Sequence, residues 1–214
     1  MSANTSKELI ITSREAADYK YAGMLFFISG AVYLFFVMAG EASYPRYSVH
    51  ANSLSDLGAI GTNTAVFYDP ATFVWGLFWF LGAYFLFRNH GKRGLMVLNL
   101  LPGVGILLVA IFPENVNIVI HSIGSAIGGL IGGVVAILSS RIIKSDFRYL
   151  ALFLGALSLV GAFIEFGTYN SAFFQQSLGP GGWERLLVYP LLIWLIAFGS
   201  YLTALGKPNE GIES

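Results

Sequence analysis

The sequence contains no cysteine. This absence excludes disulfides, thiolate metal sites and cysteine nucleophiles, and it leaves the redox compartment undecided. Charged residues are also scarce: they make up 11% of the chain, whereas a soluble domain has about 25%. So small a supply of charge could not build a water-exposed surface. The formal net charge of +0 gives no indication of nucleic-acid binding.

Long apolar runs are present where the charge is missing. Hydrophobic residues make up 56% of the 214 positions, and a helix needs about 20 apolar residues to cross a bilayer. Because lipid offers no partners to backbone polar groups, such runs should be helical. The sequence therefore predicts an all-α, multi-pass protein of the cell membrane, with six transmembrane helices in a compact bundle. The six runs cover roughly residues 20–40, 67–88, 94–112, 117–139, 147–169 and 184–205.

The positions of lysine and arginine predict the orientation of these helices. Cytoplasmic loops of membrane proteins are enriched in both residues. Of the 12 lysines and arginines, all but Arg46 and Arg185 fall on one side of the predicted bundle. Both termini are therefore expected in the cytoplasm. The predicted organisation is a cytoplasmic segment 1–19, a transmembrane domain 20–205 and a cytoplasmic tail 206–214.

The polar stretch "HANSLSDLGAI", residues 50–60, lies in the first outer loop of this topology. One interpretation is structural: the stretch begins an interfacial or re-entrant helix with Asn52 or Ser53 as its N-cap, and Asp56 completes a capping box with Ser53. The other interpretation is functional, because serine and aspartate side chains at this depth can also line a polar pocket. Ser55 and Asp56 are the pocket candidates in this loop.

Further ionisable residues are predicted at the same outer depth. Glu165 is the most informative, because a charge within a membrane helix is costly and usually faces the interior with a partner. We expect these residues to form one polar pocket at the outer leaflet. Its predicted residues are His50, Ser55, Asp56, Glu114, His121, Glu165, Glu184 and Arg185.

Two contacts within this pocket can be predicted. His121 falls on the same helix face as a ridge of glycines, which favours close helix packing, so its ring should point into the bundle. We expect it to bond a polar residue of the first outer loop, namely Ser53, Ser55 or Asp56. Arg185 stands in the first turn of the last helix, where the helix dipole disfavours a cation. We expect Glu165 to compensate it, with Asp56 as the second choice.

Three stretches resemble a known family. "NSLSDLGA", "FPENVNIVIHSIGS" and "GPGGWERLLVYP" are similar to the signature stretches of the uncharacterised membrane family called domain of unknown function 998. The resemblance extends over nearly the whole chain and implies a compact six-helix bundle with polar motifs gathered on its outer side. It implies no particular activity. The matching positions are Ser55, Leu57, Gly58, Phe112, Pro113, His121, Glu184 and Arg185.

Three functions fit these residues. Binding or sensing of a lipid or small amphiphile is favoured. The alternative is a membrane-embedded hydrolase acting on a lipid-like substrate, with Ser53 or Ser55 as nucleophile, His121 as base, and Asp56 or Glu165 as the orienting acid. No G-x-S-x-G motif supports that alternative. Transport is the third function.

The sequence gives less support to transport and to metal chemistry. A transporter favours broken helices near the midplane, and Pro102-Gly103 is the one good candidate for a break. A zinc hydrolase would want about three histidines, but only His50 and His121 are predicted on the outer side. We therefore expect no metal site and no cofactor. The expected partners are membrane lipid and a small amphiphilic ligand, without nucleic acid, and the oligomeric state is left open.

Overall fold

The computed structural model describes residues 12–89 and 93–206, and within them the protein is all-α. A single 3₁₀ turn, Ser55–Gly58, and a short helix, Ala172–Gln176, lie between the long helices. No strand occurs among the described residues, so the all-α part of the predicted fold class is confirmed. The long helices are α1 (Ser13–Ser43), α2 (Ala65–Asn89), α3 (Arg93–Ile111), α4 (Ile118–Ser139), α5 (Phe147–Thr168) and α6 (Gly179–Leu205).

These helices form a closed ring. Each packs on its neighbours in sequence, and α6 returns to pack on α1. Because the connections are short, neighbouring helices run antiparallel. The ends of α1, α3 and α5 therefore meet the beginnings of α2, α4 and α6 at one end of the bundle, which we call the acidic end. At the opposite end, Gly206 packs against Ala16 and Lys20, so the two ends of the described chain lie together.

Five of the long helices are long and apolar enough to cross a membrane: α1, α2, α4, α5 and α6. In α3 the apolar segment is shorter and covers Val97–Ile111. Interior positions are occupied by large aromatic side chains, including Trp79 and Trp194, whose rings lie 5.8 Å apart. Trp79 Nε1 donates to Asn99 Oδ1 at 3.0 Å, which ties α2 to α3. Bilayer-length helices around such an interior define a multi-pass membrane protein.

Helix boundaries follow local capping and backbone conformation. The first helix begins at Ser13, before the expected residue 20, because Thr12 and Glu15 form a capping box. The fourth begins after Asn117, whose side chain accepts the Ile120 N–H at 3.1 Å, as expected of an N-cap. The last helix begins at Gly179, earlier than the expected residue 184. Gly179 has a φ of +66°, a backbone conformation that glycine adopts without a steric penalty.

The glycine ridge of α4 packs closely on its neighbours, as its spacing predicts. A Cβ atom built on Gly105 of α3 would lie 2.5 Å from the Gly128 nitrogen and 2.6 Å from the Gly124 oxygen. The backbones of α3 and α4 are therefore in direct contact. Midway along α4, residues Ile127–Ile131 form a π-helical turn that the sequence did not reveal. This turn separates the half of α4 at the acidic end from the half near the chain ends.

Candidate functional site

A cavity of about 450 Å³ opens at the acidic end, between α4, α5, α6 and the first loop. The first part of α4, Ile118–Ala126, packs on α3 and makes little backbone contact with α5 or α6, whereas Gly132–Ser139 packs on α5. The helices α4 and α5 therefore diverge toward the acidic end. The lining residues are Ala51, Ser53, Ser55, Asp56, Glu114, Ile118, His121, Ser122, Ser125, Glu165, Phe166, Tyr169, Pro180 and Glu184.

The first loop forms one side of this cavity and is firmly anchored. Leu54 and Leu57 are fully buried beneath it. The Ser53 N–H donates to Asp56 Oδ2 at 3.0 Å, and the Asp56 N–H donates to Ser53 Oγ at 3.2 Å, which is the reciprocal pattern of a capping box. The longer helix that we expected here is a single 3₁₀ turn. It ends at Gly58, which packs so tightly on α2 that a side chain would collide with Asp69.

Four carboxyl groups line the cavity. Three of them accept hydrogen bonds, and the donors of these bonds are neutral groups. Ser55 Oγ donates to Glu114 Oε2 at 2.7 Å, and Asn52 Nδ2 donates to Asp56 Oδ2 at 3.0 Å. Glu184 accepts the backbone N–H of Leu54, which joins α6 to the loop. The fourth is Glu165, whose buried Oε2 has no hydrogen-bond partner.

The electrostatics of the cavity are strongly acidic. Among the described residues, no lysine or arginine lines it. Burial raises the pKa of Glu114 above its ordinary value, and the neighbouring Asp56 raises this pKa further, while the hydrogen bond from Ser55 opposes the shift. A raised pKa favours the protonated form of Glu114, so a cationic group entering the cavity would compete with that proton and stabilise the carboxylate.

Arg185 does not face this cavity, and the predicted pairing with Glu165 or Asp56 is wrong. Its Nη2 and Nε lie 2.7 and 3.1 Å from Oε1 of Glu41, at the end of α1. Adjacent residues on a helix point about 100° apart, so an inward Glu184 turns Arg185 toward α1. The guanidinium also donates to the Tyr47 hydroxyl and to three backbone carbonyls: those of Val49, Asn52 and Gly181.

His121 lies in the wall of the cavity, but its expected hydrogen bond to the first loop is not formed. The residue is 8% exposed, and its Nδ1 lies 3.0 Å from the backbone oxygen of Phe112. Helix α3 ends at Ile111, so the Phe112 carbonyl has no partner within a helix and can accept from the ring. The turn between α3 and α4 also contacts the first loop, because Asn115 exchanges two hydrogen bonds with the backbone of Ile60.

The structure brings together most of the expected pocket residues. Six of the eight line the cavity, namely Ser55, Asp56, Glu114, His121, Glu165 and Glu184, together with the candidate nucleophile Ser53. His50 is exposed and outside it, with its backbone oxygen accepting the Gly181 N–H at 3.2 Å. The sequence interpretation missed Ser125, which lies one helical turn after His121 and therefore shares its face. Helical periodicity was the signal that could have identified it.

The arrangement of these groups limits the chemistry. Ser55 Oγ lies 2.7 Å from Glu114 Oε2 and 3.0 Å from Ser53 Oγ. Among the hydrogen bonds of the described residues, none joins His121 to a serine. The contact between nucleophile and base that a catalytic triad needs is therefore not formed. Nor does any group of three histidine, aspartate or glutamate residues in the described chain have the geometry to hold a metal ion.

Fold and site together define a multi-pass helical membrane protein with a polar cavity at one end of its bundle. The chain belongs to the family described as Protein of unknown function (DUF998), whose family model matches residues 27–201. This match runs from within α1 to within α6 and confirms the resemblance carried by the three polar stretches. No curated protein and no solved structure matches the chain.

Proposed function

We propose that this protein binds or senses a small amphiphile, or a lipid, taken from the outer leaflet of the cell membrane. The observation that carries the proposal is the cavity between the diverging ends of α4 and α5. Its volume of about 450 Å³ falls within the range of small-molecule sites. Its lining combines carboxyl groups with Ile118, Phe166 and Tyr169, and these three are also exposed at the bundle surface. One ligand could thus place a polar head inside and an apolar chain along α4 and α5.

The proposal includes an orientation for the bundle. With α3 as the sixth span, both termini lie in the cytoplasm and the acidic end faces outward. The support is the distribution of lysine and arginine, which leaves only Arg46 and Arg185 of the 12 on the acidic side. In this orientation the cavity opens at the depth of the outer-leaflet headgroups.

The orientation can be tested by cysteine labelling, because the chain has no native cysteine. Ala51 and Ser145 are both exposed and lie at opposite ends of the bundle. In intact cells, we expect Ala51→Cys to react with an impermeant maleimide, whereas Ser145→Cys should react only after the cells are opened. The reverse labelling pattern would refute the orientation and the outer-leaflet cavity together.

Ligand binding can be tested by filling the mouth of the cavity. Ser122 lines the cavity and is exposed, so Ser122→Trp should narrow the mouth without disturbing the core. We expect a photoreactive alkyl amphiphile to crosslink to the unmodified protein in lipid nanodiscs and the yield to fall several-fold in this variant. Ser200→Trp, at an exposed position of α6 away from the cavity, is the matched control. Equal yields in the two variants would contradict binding in this cavity.

The two other functions receive less support. Ser53, Ser55 and His121 do line one cavity, as a hydrolase would require, but their hydrogen bonds go to other partners. A transporter would favour a broken helix, yet α3 continues as a helix through Pro102 and beyond. Binding is the function that needs no rearrangement of these side chains.

A further inference from the structure

We infer that the ligand of this cavity carries a protonated amine, so that the protein selects cationic amphiphiles over neutral or anionic ones. The inference rests on the proposed binding function and adds the chemical class of the head group. Two independent features indicate a ligand here: the acids of the cavity wall, which favour a cation, and a buried indole N–H beside an adjoining recess, which requires an acceptor.

The first feature is the balance of charge. Asp56, Glu114 and Glu184 accept hydrogen bonds from amide, hydroxyl and backbone N–H donors, none of which carries a charge. Arg185 is close to Glu184 in sequence, but it points toward α1 and forms its ion pair with Glu41. The cavity therefore lacks a counter-ion among its described lining residues.

Glu165 identifies where a cation would bind. It lies in α5, and its Oε2 is buried without a partner. A buried acceptor that remains unpaired is costly, and a carboxylate gains most from a charged donor. An ammonium group offers three N–H donors, so it can satisfy Glu165 with one of them and leaves two for other acceptors.

The second feature is Trp75, which is separate from the acidic cluster. Trp75 is 3% exposed, and its Nε1 has no hydrogen-bond partner. It lines a recess of about 30 Å³ that shares Ser55, His121 and Glu184 with the larger cavity. An indole N–H can only donate, so it requires an oxygen or another acceptor, and the recess is space beside Trp75 that can hold one. The space suits one small oxygen-bearing group: a hydroxyl next to the amine or a water molecule beneath it.

The apolar part of the ligand has a defined place as well. Ile118 at the start of α4 is 57% exposed, and Tyr169 just after α5 is 53% exposed, while both line the cavity. An alkyl chain leaving the cavity between these residues would contact apolar surface on both helices. The aromatic ring of Tyr169 also presents a face that can attract an ammonium group.

The test measures crosslinking of diazirine-bearing dodecylamine in nanodiscs of uncharged lipid, with three competitors. Dodecylamine should displace the probe, whereas N-acetyl-dodecylamine and dodecanoate should be at least about tenfold weaker, because neither carries a cationic donor that can pair with a carboxylate. Glu165→Gln keeps the shape of the side chain and should weaken amine binding about tenfold or more. Asp146→Asn, an exposed acid at the opposite end of the bundle, should leave it unchanged.

The outcomes separate the two claims. If N-acetyl-dodecylamine competes as well as dodecylamine, the amine inference is overturned and the binding function stands. If no amphiphile gives crosslinks that Ser122→Trp reduces, both claims fail. A fourth competitor, 2-amino-1-dodecanol, identifies the source of the oxygen near Trp75. If a ligand hydroxyl supplies it, 2-amino-1-dodecanol should bind more tightly than dodecylamine and lose that advantage in Trp75→Phe. If a water supplies it, the two amines should bind equally and Trp75→Phe should affect both equally.

Discussion

Arg185→Ala is expected to destabilise the folded protein by about 3–5 kcal/mol, because it removes one partner of a largely buried ion pair. The guanidinium lies 2.7 Å from Glu41 and donates to the carbonyls of Val49, Asn52 and Gly181. One side chain thus holds α6, α1 and the first loop together. The Glu41 side chain retains 24% of its exposure, which places the expected loss toward the lower end of that range. The measurement is thermal unfolding in detergent.

Two further variants make this prediction specific. Arg46→Ala removes an exposed arginine of the same loop and should change the unfolding temperature little. Arg185→Lys keeps the charge but cannot reproduce the planar array of donors, so we expect a stability between those of the unmodified protein and Arg185→Ala. If Arg185→Ala and Arg46→Ala unfold at the same temperature, the ion pair contributes nothing measurable and this description of Arg185 is wrong.

The helical bundle could be predicted from sequence because lipid imposes simple rules. An apolar run must be helical and must be long enough, so α5 was expected at 147–169 and lies at Phe147–Thr168. The errors occur where local backbone chemistry rather than hydropathy determines the boundary: a capping box precedes Ser13, and Gly179 has a positive φ. Small residues likewise predicted the close packing of α4, because a helix approaches closely only where side chains are absent.

The partner of Arg185 could not be predicted in the same way. Glu41, Asp56, Glu165 and Glu184 all lie at the acidic end, so composition alone did not distinguish among them. The choice depends on the rotation of α6 about its axis and on which helix stands opposite. The ring places α6 between α5 and α1, and only the contacts of the folded chain show that Arg185 faces α1.

The site was predictable in composition but not in its hydrogen bonds. A polar residue near a helix end suggests a pocket, and six of the eight expected pocket residues do line one cavity. His121, however, forms its hydrogen bond with the backbone carbonyl of Phe112. Because every residue has a backbone carbonyl, nothing in the sequence distinguishes Phe112 as the partner. The cavity itself results from the divergence of α4 and α5, a property of packing that hydropathy does not encode.

Gly105→Ala is expected to destabilise the bundle by about 1–3 kcal/mol, since overpacking forces a backbone shift. The new Cβ would lie 2.5 Å from the Gly128 nitrogen and 2.6 Å from the Gly124 oxygen, and neither backbone atom can move without displacing α4. Gly167→Ala is the matched control: Gly167 lies in α5, and its Cβ would meet nothing within 4 Å. That substitution should leave stability unchanged or raise it slightly, because alanine is the better helix former. Unfolding temperatures in the same detergent provide the comparison, and a Gly105→Ala protein as stable as Gly167→Ala would show that α3 and α4 are not in backbone contact.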